Sequence, residues 1–84
     1  MIMPYIESEK REKLDEVVEL MKKLNVKADG DLNYILYKFC KESVKASYNS
    51  FKNYCGELRE CAVEIERRLL GPYEDLKKNE NGDI

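Results

Sequence analysis

The sequence predicts an all-α protein, a small bundle of three helices followed by a short or kinked C-terminal helix, and three observations predict it. Apolar residues recur at steps of three and four along most of the chain, no segment alternates apolar with polar residues as a strand does, and clusters of Asn, Asp, Gly and Ser separate the periodic stretches. Eighty-four residues are too few for two independent cores, so the expectation is one helical domain over 1–84, with an N-terminal arm at 1–7 and a tail at 79–84.

The first helix is expected over about 8–24. Leu14, Val17, Val18, Met21 and Leu24 lie on one face, Ser8 is suited to cap it, and Glu9 puts negative charge at its positive end. Asn25 to Asp31 carries Asn, Asp and Gly in close order and reads as a loop. The second helix is expected over about 31–45, capped by Asp29 or Asp31, with Leu32, Ile35, Leu36, Phe39, Cys40 and Val44 on its apolar face. Ser43, Ser47, Tyr48, Asn49 and Ser50 weaken helical preference and offer fresh caps, which places a break near Ala46 to Asn49.

The third helix is the longest, reaching about residue 70. Phe51, Tyr54, Cys55, Leu58, Cys61, Ala62, Ile65 and Leu69 form its stripe. Gly56 inside it implies either a closely packed neighbouring backbone or a tolerated defect. Gly71-Pro72 either ends this helix and starts a fourth with Pro at its first position, or kinks one continuous helix. The polar stretch from Lys78 reads as a frayed tail.

Composition narrows the function classes. A chain of this size buries only roughly 60–65% of the surface its unfolded form exposes, so small domains often depend on disulfides, a metal or self-association. Cys40, Cys55 and Cys61 are odd in number, form no C-x-x-C pair and have no histidine beside them, so they read as small buried hydrophobes of a reducing cytoplasm. Neither a metal nor a cofactor is expected; a homodimer or higher homo-oligomer is. Charged residues make up 38% of the chain while the net charge is -2, a mixed surface that does not suit nucleic acid. No run is long and apolar enough to span a membrane, and the opening Met1-Ile2-Met3-Pro4-Tyr5 lacks the features of a secretion signal.

The residues that suggest chemistry gather near the C-terminal end. Arg67 and Arg68 precede Gly71, Pro72, Tyr73 and Glu74, so cations, a ring and a carboxylate meet where the backbone must bend. Adjacent helical residues diverge by about 100°, so one arginine is expected to pair with Glu64 or Glu60 and the other to reach elsewhere, its guanidinium fork suited to a carboxylate or phosphate. Six tyrosines offer rings for stacking. Tyr54 falls on the stripe, Tyr34 and Tyr37 flank that of the second helix, and Tyr5, Tyr48 and Tyr73 sit at element ends. Glu57 with Glu60, and Glu16 with Glu19, have the Glu-x-x-Glu spacing of Mg²⁺-binding pyrophosphohydrolases, but seventeen acidic residues produce such spacings by chance. A phosphate loop and a Ser-His-Asp set are absent from the sequence.

Several of these motifs occur in a fixed order: Met3-Pro4-Tyr5-Ile6, Gly30-Asp31-Leu32-Asn33-Tyr34, Arg67-Arg68, Pro72-Tyr73-Glu74 and Asn81-Gly82-Asp83, with Tyr48, Gly56, Leu58 and Glu64 between them. In this the chain resembles a family of short phage- and prophage-encoded proteins of unknown function. Glu66 stands where that family usually has an aromatic, and the loop between helices two and three is shorter than usual. The resemblance implies an all-α phage-type protein and carries no known activity; small phage proteins of this size are often inhibitors of host defence.

The leading expectation is therefore a non-enzymatic binding protein of the bacterial cytoplasm, a helical oligomer that sequesters an anionic, nucleotide-like ligand. Arg67 and Arg68 would take the phosphate, Tyr73 the base and Asn33 a hydrogen bond at the positive end of helix two, with Tyr34 and Glu74 beside them. The alternative is an interaction protein covering a host or phage protein, and a Mg²⁺-dependent pyrophosphohydrolase stands third.

Overall fold

A computed structural model describes residues 6–82. All regular structure among them is helical: α1 (Ser8–Lys23), α2 (Gly30–Ser43), α3 (Tyr48–Ile65), a π turn (Glu66–Leu70) and α4 (Gly71–Asn81). The chain divides into two units, Met1–Val44 and Lys45–Ile84. The Met3-Pro4-Tyr5 part of the opening motif, most of the N-terminal arm, and Asp83 lie outside the described residues.

The first unit holds α1 and α2. Ser8 is the first helical residue rather than the cap; Glu7 takes the cap position, and its carbonyl accepts the Arg11 N–H at 2.9 Å. The other end of α1 closes on a left-handed residue. Asn25 has φ 57°, its N–H donates to the Lys22 carbonyl at 3.0 Å, and the Val26 N–H donates to the Met21 carbonyl at 3.0 Å. Those two bonds make a Schellman motif, with Asn in the place usually held by Gly. Met21 and Val26, the apolar pair that accompanies the motif, are among the few half-buried residues of this region. Asp29 caps α2 by accepting the Asp31 N–H at 3.0 Å. The Asp31 carboxylate turns back to accept the Lys27 N–H at 3.2 Å.

The helix break falls where the serines place it. Val44 is extended, and its N–H makes a last helical bond to the Cys40 carbonyl. The Ser47 hydroxyl then accepts the Ser50 N–H at 3.1 Å, capping α3. The second unit beyond it is one unbroken helix of 34 residues, Tyr48–Asn81, about 51 Å long. The supposed tail is helical as far as Asn81, and its Glu80 pairs with Lys77 at 3.1 Å. Gly82 stops the helix at φ 83°, a conformation that favours glycine.

Gly71-Pro72 neither terminates the helix nor stands alone as a kink: a π turn precedes it. Proline has no N–H to donate four residues back, and its ring crowds the carbonyl there. The wider turn absorbs this, with the Gly71 N–H reaching the Glu66 carbonyl five residues back. A Cβ on Gly71 would lie 3.1 Å from that same oxygen, so this position is tight. Gly56, by contrast, has nothing within 4 Å of where its Cβ would be, so the tolerated defect is what this chain shows.

The packed core expected of a bundle is absent from each unit. No described residue is buried. In the first unit α1 and α2 form no packed interface; Leu32, Ile35, Leu36 and Cys40 are half-buried, while Leu14, Val17 and Val18 stay exposed. In the second, a single helix has no layer of its own against which to lay its stripe. The cysteines read as buried hydrophobes follow suit, with Cys55 and Cys61 exposed and Cys40 intermediate.

Candidate functional site: the arginine pair at the π turn

Both arginines turn to one carboxylate. Arg67 Nη2 donates to Glu64 Oε1, and Arg68 Nε lies 2.6 Å from Glu64 Oε2. This overturns the expectation that the two diverge. Residues three and four positions after a helical residue both neighbour it on the surface, so backbone divergence is made up by long side chains bending from either side. The result is asymmetric in exposure: the Glu64 side chain is 17% exposed and each arginine 65%. Glu64 Oε2 is inaccessible to solvent and makes no hydrogen bond, because Arg68 Nε comes to ion-pair distance without N–H alignment.

This geometry holds a charge surplus. Two guanidiniums face one carboxylate, leaving one net positive charge, and a single carboxylate cannot occupy the five N–H donors that each guanidinium carries. The donors left over point into water from the flank of a helix.

The remaining site residues fall in different places. Tyr73 and Glu74 lie in the first turn of α4, beside a shallow, solvent-open depression that Lys77 and Asn81 also line; the arginines do not line it. Lys77 sits over the Tyr73 ring, 5.7 Å from its centre. Asn33 and Tyr34 belong to α2 in the other unit. The Asn33 N–H is committed to the Asp29 carbonyl at 3.1 Å, and the start of that helix already carries the carboxylates of Asp29 and Asp31. Tyr34 is held by Lys38, whose ammonium donates to the phenol oxygen at 3.1 Å and lies 5.5 Å from the ring centre.

A pattern that the residue-type reading missed is the repeat of this arrangement. Tyr34 with Lys38, Tyr48 with Lys52, and Tyr73 with Lys77 are each four residues apart with the ammonium over the ring. The four-residue spacing of each pair is legible in the sequence. The Glu-x-x-Glu pairs gain no further ligand: among the described residues no group of three or more His, Cys, Asp or Glu is placed to hold a metal. No helix among them is long and apolar enough to cross a membrane.

Fold and site together define an all-α chain with an exposed cationic cluster at a π turn. The chain belongs to the family described as domain of unknown function DUF6899, whose model matches residues 3–84. No curated protein and no solved structure is significantly similar to it.

Proposed function

We propose that this chain is a non-enzymatic, phage-type binding protein whose Arg67–Arg68 cluster takes an anionic, nucleotide-like ligand, in the manner of an inhibitor of host defence. The observation that supports it is the two-to-one ratio of guanidiniums to carboxylate around Glu64. A phosphate would occupy the donors that Glu64 leaves open and release water from both arginines; charge-assisted bonds of this kind are the stronger class, at about 1.5–3 kcal/mol each. Tyr73, at the start of the next helical segment, supplies a ring.

Isothermal titration of the intact chain with a panel of linear and cyclic nucleotides tests this. Heat that disappears in Arg68→Ala supports the reading, and silence across the panel removes it. A second reading, a carboxylate-bearing host or phage protein as partner, is favoured by the exposure of both guanidiniums, each side chain being 65% accessible on the helix flank. A stoichiometric protein recovered with the wild type and lost with Arg67→Ala/Arg68→Ala distinguishes it.

A further inference from the structure

We infer that the stripe of α3 is a seam on which a second copy of this chain docks, the two helices running antiparallel. This does not depend on the ligand proposed above. The second unit is a single helix, so its stripe has no cover from within that unit: Phe51 is 40%, Leu58 37%, Ile65 49% and Leu69 65% exposed.

The spacing is that of a helix-pairing seam. Phe51, Leu58 and Ile65 recur every seventh residue, and Cys55, Ala62 and Leu69 form a second series of the same period, offset by four. Leu70 joins Leu69 above Ile65, because residues four and five positions on are both neighbours across a π turn. One series is large throughout and the other begins small.

That difference selects both the partner and the direction. In a parallel pair each residue meets its own copy, so Cys55 and Ala62 layers would be underfilled beside Phe51 and Leu58 layers. In an antiparallel pair each layer takes one residue from each series. Ile65 then faces the partner's Cys55 and Leu58 the partner's Ala62, which evens the volume of the four inner layers, while Phe51 with the partner's Leu69 and Leu70 closes each end with the bulkiest layer. A second copy of this chain supplies this complement.

The flank agrees. Lys52, Arg59 and Glu66 recur at the same seven-residue period along one side of the seam. Antiparallel pairing sets Lys52 against the partner's Glu66, and by symmetry this happens twice. Arg59 meets the partner's Arg59 near the axis, the one like-charge approach in the register.

Light scattering of the intact chain at micromolar concentration is expected to give twice the 9.9 kDa chain mass, and Leu58→Glu to give a monomer. Leu58→Glu can also simply unfold, so two further arms carry the direction. With the three native cysteines changed to Ala, Lys52→Cys chains mixed with Glu66→Cys chains should form a crossed disulfide. Arg59→Gln should tighten the dimer about two-fold, the scale of one exposed charge pair. A monomeric wild type, or disulfides only between like chains, overturns the proposal.

Discussion

The Gly71 N–H donates to the carbonyl of Glu66, and that same oxygen lies 3.1 Å from where a Cβ on Gly71 would stand. One glycine thus closes the π turn and leaves room for it. Two glycines of one long helix should then respond unequally to the same substitution. Gly56→Ala is expected to stabilise the helix by roughly 0.5–1 kcal/mol, the propensity difference between the two residues. Gly71→Ala should forfeit most or all of that gain, because the Glu66 carbonyl must move aside. Urea unfolding followed by circular dichroism compares them, and equal gains would contradict this reading of the turn.

Glu64 acts as the shared counterion of both arginines. Glu64→Gln should lower helix stability by only about 0.5 kcal/mol, since the arginine side of each pair is mostly exposed. The same change frees two guanidiniums, so phosphate-bearing ligands should bind more tightly to Glu64→Gln than to wild type. Titration of both with inorganic pyrophosphate measures this; weaker binding would mean that the carboxylate orients the pair rather than competing for it.

Asn25 occupies the left-handed position that ends α1. Asn25→Ala is expected to cost about 1 kcal/mol, from the steric penalty of that conformation. Asn25→Gly should keep or raise stability. Thermal melts of the pair check it, and a neutral Asn25→Ala would show that the motif opens without cost.

Ser47, near the start of the second unit, caps α3, its hydroxyl accepting the Ser50 N–H. Ser47→Ala should cost about 1 kcal/mol, and Ser47→Asp should retain most of the cap. Amide exchange at Ser50 and Phe51 is the direct readout. Faster exchange in Ser47→Ala alone is the expected result.

Much of the local structure was legible because its causes are local. The helices at Ser8–Lys23 and Gly30–Ser43 and the break before Tyr48 follow from three-and-four periodicity, Asp29 and Ser47, each acting within one turn of itself. The π turn was not legible: Gly71-Pro72 announces a disturbance, but whether a helix ends, kinks or widens depends on how the carbonyls of the preceding turn are relieved. The convergence of the arginines on Glu64 is illegible for a related reason. A 100° step describes where the backbone points, whereas two long side chains bend until both reach Glu64.

Residue order by itself thus determined an all-helical chain, the caps of its second and third helices, the break between them, and a stripe on each helix. The three-dimensional arrangement alone decided that Tyr48–Asn81 is one unbroken helix, that Glu64 serves two cations, and that no described apolar side chain is buried in the folded chain. Helical periodicity states which face should be buried and is written in the spacing of a few neighbours. What that face lies against depends on surfaces distant in sequence or on another molecule, and no short-range pattern carries that information.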